Sequence, residues 1–308
     1  MSDNPWHILG AGAIGCLFAA KLKWGGLPVT LLLRASPAAE TLPVTVASGG
    51  KSRKLALPAG GVGERSYIAQ LLVTTKAQDV VAAVMSVADR LDQHSQVLLL
   101  ANGMGFATEL QRRLPQLDIY SGTTTEGAYR TGPRQVCHAG HGRTLVGRSG
   151  QAQPPDWFAR WSAAIGDCHW EPHIDRALWE KLAVNCAINP LTALHRCNNG
   201  ELLRDQRLAR EVDRLCEEIS QVSDAAGFMA VSKALRATVG RVITATADNR
   251  SSMLQDVLAG RPTEIDYITG HLVATARQLG IRVPFNDELL QRIRNLASTD
   301  DGPGPAQR

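Results

Sequence analysis

The sequence predicts two domains: an α/β domain with a doubly wound parallel sheet, followed by an all-α domain. Apolar runs of strand length alternate with helical patterns through the first half of the 308 residues, which is typical of a parallel sheet with crossover helices. After about residue 175 the strand patterns fade and long helical patterns take over. We therefore expect a boundary at residues 171 and 172, so that 1–171 form the first domain and 172–308 the second.

The elements of the first domain can be assigned in chain order. Strands are expected at 6–9, 28–33, 70–74, 96–101 and 168–170, and helices at 13–24, 77–91, 104–114 and 154–165. Residues 121–150 change to short segments rich in Gly, Thr and Ser, which predict antiparallel hairpins that close the sheet. Residues 37–66 support no firm assignment.

Helical periodicity predicts the elements of the second domain. The expected helices are 175–196, 208–227, 231–247, 263–279 and 285–297. Pro262 is expected to start the fourth of these, which would place Glu264 in its first turn. The Gly- and Pro-rich residues 299–308 are expected to fray.

Composition excludes several classes of protein. Hydrophobic residues make up 44% and charged residues 20%, as in an ordinary soluble domain, and no apolar run approaches the roughly 20 residues of a membrane helix. The start MSDNPWHILG lacks the features of a secretory signal, so we expect a cytoplasmic protein. The net charge of +4 comes from scattered basic residues, which argues against nucleic acid and suits a small anionic ligand. Monomer and homodimer both stay open.

The cysteine and histidine spacings indicate neither disulfides nor a metal. None of the six cysteines forms a C-x-x-C pair, so reduced, mostly buried thiols are expected. His138 and His141 have an H-x-x-H spacing, but no third ligand of obvious spacing accompanies them. Metal sites need three or four protein ligands, so we expect no metal here.

A dinucleotide fingerprint follows the first predicted strand and opens the first helix. The run GAGAIG over residues 10–15 fits G-x-G-x-x-G in the strand–turn–helix context that the motif requires. Gly10 would permit the tight turn, Gly12 would let the backbone approach a pyrophosphate, and Gly15 would allow close helix–strand packing. Free N–H groups at the start of the helix, at Ala13 and Ile14, would then face the phosphates.

The end of the second strand predicts which dinucleotide is bound. NAD sites usually have an acidic residue there to accept a hydrogen bond from the ribose 2′-hydroxyl. This chain has Arg34 at that place, and no acidic residue follows before Glu40. A guanidinium suits a phosphate dianion, so Arg34 favours NADP(H); the alternative is a surface arginine at a strand end. Ser36 is a second candidate to contact the same phosphate.

A polar stripe lies on the first helix of the second domain. Lys181, Asn185 and Asn189 are spaced i, i+4, i+8, so they share one helix face. A solvated stripe would usually carry Glu, Lys and Arg, whereas two asparagines in register lower helix propensity. One ammonium with two amides therefore suggests a face that contacts a ligand, although a solvated face accounts equally well for the spacing alone.

Polar residues at three other places are further candidates. Lys76 and Asn102 follow predicted parallel strands, where ligands of open α/β sheets bind. Ser251, Ser252 and Glu264 lie in the stretch 249–266. Ordinary loop residues, and a helix first-turn acid at Glu264, are the plain alternatives.

These motifs together resemble the ketopantoate reductase (2-dehydropantoate 2-reductase) family over nearly the whole chain. The resemblance rests on GAGAIG, on TTKAQD around Lys76, on ANGMG around Asn102, and on the long stretches WEKLAVNCAINPLTAL and SSMLQDVLAGRPTEIDYI. It implies a Rossmann-type domain and a helical domain with the active site in the cleft between them. It also implies an oxidoreductase that uses NADPH to reduce ketopantoate to pantoate in pantothenate and coenzyme A biosynthesis.

The resemblance assigns roles to the candidate residues. Lys181, as general acid, and Glu264 are the expected catalytic residues. The expected substrate-binding residues are Asn102, Asn185, Asn189 and Ser252. The expected cofactor-binding residues are Gly10, Gly12, Ala13, Ile14, Gly15, Arg34, Lys76, Asn102 and Glu264.

Two other functions compete with this interpretation. A related NADP-dependent dehydrogenase could act on another 2-oxo or 3-hydroxy acid with the same fold and lysine, and a substrate panel separates it from a ketopantoate reductase. A non-catalytic NADPH sensor would keep the glycine fingerprint and Arg34, but it has no need of Lys181 and Glu264 together.

Overall fold

A computed structural model describes residues 4–298 of the chain; the expected frayed segment, 299–308, lies outside the described residues. The described strands are Trp6–Leu9 (β1), Val29–Leu33 (β2), Thr41–Ser48 (β3), Lys51–Gly61 (β4), Gln70–Val73 (β5), Gln96–Leu99 (β6), Asp118–Thr124 (β7), Gly127–Gly132 (β8), Gln135–Gly140 (β9), Thr144–Gly147 (β10) and Cys168–Trp170 (β11). The described α-helices are Ala13–Trp24 (α1), Ala77–Met85 (α2), Phe106–Arg113 (α3), Phe158–Ile165 (α4), Ile174–His195 (α5), Glu201–Arg204 (α6), Gln206–Ala225 (α7), Met229–Ala245 (α8), Ser252–Leu258 (α9), Thr269–Gln278 (α10) and Pro284–Ser298 (α11).

The first half of the chain forms one sheet with a parallel centre. In the described residues the strand order is β11-β10-β7-β6-β5-β1-β2-β4-β3-β9-β8. The run from β7 through β6, β5 and β1 to β2 is parallel throughout. All four residues of β1, WHIL, are buried, as expected of a strand covered on both faces. The predicted α/β sheet domain followed by an all-α domain is confirmed.

Antiparallel pairs extend the sheet at both ends, as the Gly- and Thr-rich segments predict. β10 pairs antiparallel with β7, and β8 pairs antiparallel with β9. Within residues 37–66, for which the sequence supports no firm assignment, β3 and β4 form a long antiparallel hairpin. β4 also joins the parallel centre beside β2.

Several predicted helices are shorter than the periodicity indicates; the one expected over 154–165, for example, begins only at Phe158. The helix expected over 77–91 ends at Met85 and is followed by a separate 3-10 turn, Ala88–Arg90. The buried Arg90 side chain donates from Nε to the Ser66 carbonyl over 2.7 Å and from Nη1 to the Gly61 carbonyl over 3.2 Å. These long-range bonds engage Arg90 with another segment, and no local pattern encodes them.

The helix expected over 263–279 is also interrupted. A 3-10 turn covers Ile265–Tyr267, and Ile268, with φ −102° and ψ −89°, separates it from α10. Glu264 therefore precedes a 3-10 turn, and the prediction that it lies in a helix first turn is wrong. The Glu264 carbonyl accepts from the Tyr267 and Ile268 N–H groups, each over 3.1 Å, so a tight turn forms instead.

The described residues divide into two compact units, each with its own hydrophobic core. The first comprises the chain up to Ala101 together with Gly105–Ala177, and the second comprises Asn102–Met104 and the chain from Leu178 onward. The division therefore falls within α5, and three residues after β6 belong with the helices. The predicted domain boundary at residues 171 and 172 stays a prediction.

Aromatic and charged contacts fix the helices of the second unit. Trp179 on α5 stacks on Phe228, with ring centroids 4.8 Å apart, and its Nε1 donates to Ser223 Oγ of α7 over 2.9 Å. The Glu218 carboxylate accepts from the backbone N–H groups of Phe285 and Asn286, each over 2.9 Å, at the start of α11. These bonds fix α5, which carries the polar stripe, and α11 against α7. No helix of the described residues has the length and apolar character needed to cross a membrane.

Candidate functional site

The glycine turn between β1 and α1 has the backbone shape that the fingerprint predicts. Gly10 has φ +111°, a conformation that residues with a side chain rarely adopt. Its carbonyl accepts from Thr74 Oγ1 over 2.8 Å, which ties the turn to the end of β5. Gly12 is the N-cap of α1, and no described side chain caps it, so first-turn N–H groups such as those of Ala13 and Ile14 have no side-chain partner at the cap.

The other two fingerprint glycines differ in the space around them. A methyl group on Gly15 would lie 2.0 Å from the Gly10 carbonyl oxygen, so only glycine lets α1 pack this closely on the turn. A methyl group on Gly12 would meet nothing within 4 Å. Gly15 is therefore required by packing, whereas the protein's own packing places no such requirement on Gly12.

Arg34 follows β2 directly and presents its guanidinium to solvent. Its side chain is 89% exposed, and its Nη2 lies 3.3 Å from Oδ1 of Asp79 on α2. An exposed pair of this kind contributes about 0–1 kcal/mol, so it constrains the guanidinium little. Ser36 packs against the backbone of β4, because a methyl group on Gly61 would lie 2.5 Å from Ser36 Oγ.

Lys76 is the N-cap residue of α2, shortly after β5. Because β1, β2 and β5 are parallel neighbours, their carboxyl ends meet at one edge of the sheet. The first unit therefore brings Lys76, Arg34 and the glycine turn to the same edge.

The polar stripe of the second unit lies on α5. Lys181, Asn185 and Asn189 are successive turns of this helix, and Asn189 is buried while the other two are partly exposed. The stripe is therefore half-covered rather than fully solvated.

Pro190 lies inside α5 directly after the last residue of the stripe. It has no N–H, so it cannot donate to the carbonyl of Cys186 one turn earlier.

Glu264 and Asn102, far apart in sequence, meet in the second unit. Glu264 is only 5% exposed, and its Oε2 accepts from Asn102 Nδ2 over 3.2 Å. The neighbouring Gly103, with φ +84°, makes this approach possible, because a methyl group there would lie 2.6 Å from the Tyr267 carbonyl oxygen. The Met104 N–H donates to that same carbonyl over 3.0 Å, which holds the segment against the 3-10 turn.

Burial changes the acidity of Lys181. Desolvation lowers the pKa of its ammonium to about 8, and the nearby negative charge of Glu264 opposes this shift. The structure therefore brings three predicted residues, Lys181, Glu264 and Asn102, to one neighbourhood of the second unit. An ammonium with a pKa near neutrality can hold a proton and also release it.

The two serines that follow residue 250 have different environments. Ser251 is buried, caps α9 by accepting from the Leu254 N–H over 3.0 Å, and lies 2.7 Å from Thr192 Oγ1. Ser252, the predicted substrate-binding residue, is exposed. The Thr192–Ser251 bond, which links α5 to α9, was missed by sequence reasoning, although Thr192 follows Asn189 by almost one turn and continues the polar stripe.

Comparisons with known proteins show which family the chain belongs to. The family model described as ketopantoate reductase PanE/ApbA matches residues 6–151, and its C-terminal counterpart matches 173–297. A 2-dehydropantoate 2-reductase of Vibrio cholerae is 37% identical over 94% of this chain and 96% of its own length. A PanE/ApbA family ketopantoate reductase from Ralstonia eutropha superposes with a TM-score of 0.85 and 25% identity, covering 96% of this chain and 98% of its own.

The chain therefore belongs to the ketopantoate reductase family and is an oxidoreductase, as the sequence motifs indicate. A D-mandelate dehydrogenase, solved with NADH and anilino(oxo)acetate, also superposes, with a TM-score of 0.83 over 96% of this chain and 98% of its own. Its identity is 23%, so it shows that the fold is shared.

Proposed function

We propose that this protein reduces the ketone of 2-dehydropantoate (ketopantoate) to the alcohol of pantoate, with NADPH as hydride donor, in pantothenate and coenzyme A biosynthesis. The observation that carries the proposal is the desolvated Lys181 ammonium beside the buried Glu264. The choice of substrate is supported by the relative in Vibrio cholerae, whose name states the reaction. Six free cysteines are consistent with work in the reducing cytoplasm.

The first unit has the features that a dinucleotide needs. The tight turn at Gly10, the open space above Gly12 and the uncapped N-terminus of α1 together suit a pyrophosphate. When bound, the nicotinamide supplies the hydride for the ketone carbon. The Arg34 guanidinium would hold the 2′-phosphate, which favours NADPH over NADH.

Lys181 has the chemistry of a general acid for this reduction. Negative charge develops on the ketone oxygen as its carbon is reduced, and an ammonium can stabilise that charge and deliver a proton to the oxygen. The negative charge of Glu264 favours the protonated form of Lys181 and so opposes the effect of desolvation on its pKa. Neutral hydrogen bonds to the hydroxyl and carboxylate of the substrate would come from four residues: Asn102, Asn185, Asn189 and Ser252. Glu264 orients Asn102 by accepting a hydrogen bond from its side-chain amide.

The space around Gly12 gives a prediction about cofactor binding. Gly12→Ala should leave the melting temperature nearly unchanged, because its methyl group meets no protein atom within 4 Å. The methyl group would occupy the space that a pyrophosphate needs, so NADPH should bind at least about tenfold more weakly, a cost of about 1.4 kcal/mol. Gly15→Ala is the contrast, because it should lower the melting temperature. Unchanged NADPH affinity in Gly12→Ala, measured by fluorescence titration, would contradict the assignment.

The acidity of Lys181 gives a prediction about pH. Reduction needs the protonated form, so kcat/KM should be flat below about pH 8 and fall about tenfold per pH unit above it. Oxidation of pantoate needs the neutral amine, so its rate should rise through the same range. Glu264→Gln removes the charge that favours the ammonium and should move the fall to lower pH. A profile with no change near pH 8 would argue against Lys181 as the proton donor.

The substrate is tested by following NADPH oxidation by the purified protein. Ketopantoate should be turned over much faster than other 2-oxo acids, and faster with NADPH than with NADH. Turnover of a different acid would keep the lysine mechanism and overturn the substrate. Tight NADPH binding without turnover of any acid would overturn the catalytic proposal in favour of a sensor.

A further inference from the structure

Glu126, His138 and His141 form a cluster in the first unit that the proposed reduction does not use. One ligand atom from each side chain lies within 4.8 Å of the other two. The Glu126 and His138 side chains are 3% and 5% exposed, whereas His141 is exposed. We infer that this cluster is a binding site for a divalent transition-metal ion of the zinc class.

The strand register explains why sequence reasoning missed the third ligand. Gly127 pairs with Gly140 in the antiparallel ladder of β8 and β9, which places the preceding Glu126 opposite His141. His138, on β9 near the same end, has its Nε2 2.5 Å from Glu126 Oε2. The H-x-x-H pair is therefore joined by the carboxylate of the residue just before the neighbouring strand β8, which no local spacing reveals.

The donor set is of the kind that zinc prefers. Two imidazoles and one carboxylate are a known three-ligand set for zinc with an open fourth position. With metal–ligand distances of about 2.0–2.2 Å, tetrahedral ligand atoms lie roughly 3.4 Å apart. His138 and Glu126 would have to separate by about 1 Å to admit the ion. The exposed His141 can move to complete the set.

Lys21, on helix α1, orients the carboxylate of Glu126. Its ammonium, which also donates to the Ile165 carbonyl over 3.2 Å, contacts Glu126 Oε1. That contact leaves Glu126 Oε2, the oxygen that faces His138, to bind the metal. Outer-shell partners of this kind fix the orientation of metal-binding carboxylates. The positive charge of Lys21 also opposes a cation, so we expect weaker binding than the donor set alone would give.

The test is a zinc titration of the full-length protein, prepared without a histidine tag and measured by calorimetry and by competition with a chromophoric chelator. Wild type should bind one equivalent of zinc, and zinc should raise its melting temperature. His141→Ala should weaken binding at least about tenfold, because loss of even an outer-shell partner costs about 10–100-fold in affinity. His94→Ala, at an exposed histidine outside the cluster, is the matched control and should bind as wild type does.

His138→Ala is not used as a test, because His138 is buried and its loss would perturb folding. Cobalt(II) binding provides a second readout for wild type and His141→Ala instead. Cobalt(II) should give the visible absorption of a tetrahedral site in wild type, and His141→Ala should abolish it while circular dichroism stays unchanged. Wild type that takes up no zinc would overturn the inference, and so would equal affinity in wild type and His141→Ala. Reductase activity is not the readout, so the result is independent of the proposed function.

Discussion

Lys181→Ala should lower kcat for ketopantoate reduction by about 10²–10⁴-fold, the usual contribution of a positioned acid. NADPH affinity should survive, because the proposed cofactor residues of the first unit are unchanged. The loss should appear in kcat rather than in KM, since the ammonium acts on charge that develops only in the transition state. Stopped-flow measurement of a single turnover isolates the hydride step.

The control for this prediction is Lys233→Ala, which removes an exposed lysine of α8 in the same unit. It should retain wild-type kcat and melting temperature. Near-normal turnover by Lys181→Ala would refute its assignment as general acid. A loss confined to KM would instead make Lys181 a substrate-binding residue.

Arg34→Ala should weaken NADPH binding by roughly 10- to 100-fold and leave NADH binding nearly unchanged. Hydrogen bonds to charged groups contribute about 1.5–3 kcal/mol, and only NADPH carries the 2′-phosphate. The side chain is 89% exposed, so its removal should cost little stability. Binding constants of both cofactors, measured on wild type and variant, give the selectivity directly.

Asp79→Ala distinguishes a phosphate role of Arg34 from a structural one. Asp79 lies 3.3 Å from the Arg34 guanidinium, so a structural role of Arg34 would be lost equally in Asp79→Ala. If Arg34 binds phosphate, Asp79→Ala should keep or tighten NADPH binding, because it removes a nearby negative charge. Equal weakening of NADPH and NADH in Arg34→Ala would refute the phosphate role. Arg112→Ala, at an exposed arginine of α3, controls for the loss of one positive charge.

Much of the fold could be predicted because its signals are local. The strands of the parallel centre are short apolar runs, and the helices of the second half carry strong periodicity, so neighbouring residues already specify both. The predictions failed where distant contacts decide the backbone. Arg90 is bonded to segments more than twenty residues away, and the helix expected from residue 263 gives way to a 3-10 turn against which Gly103 and Met104 pack.

Local sequence is enough to specify the glycine turn, the position of Arg34 at the end of β2 and the helical spacing of Lys181, Asn185 and Asn189, because each depends on residues within a few turns or one strand. The packed chain, in contrast, brings Asn102 to Glu264 across 162 residues, and it desolvates the Lys181 ammonium, which lowers the pKa of that group to about 8. Strand register alone brought Glu126 to His138 and His141. Long-range pairing and desolvation depend on the packed chain as a whole, and no local pattern encodes them.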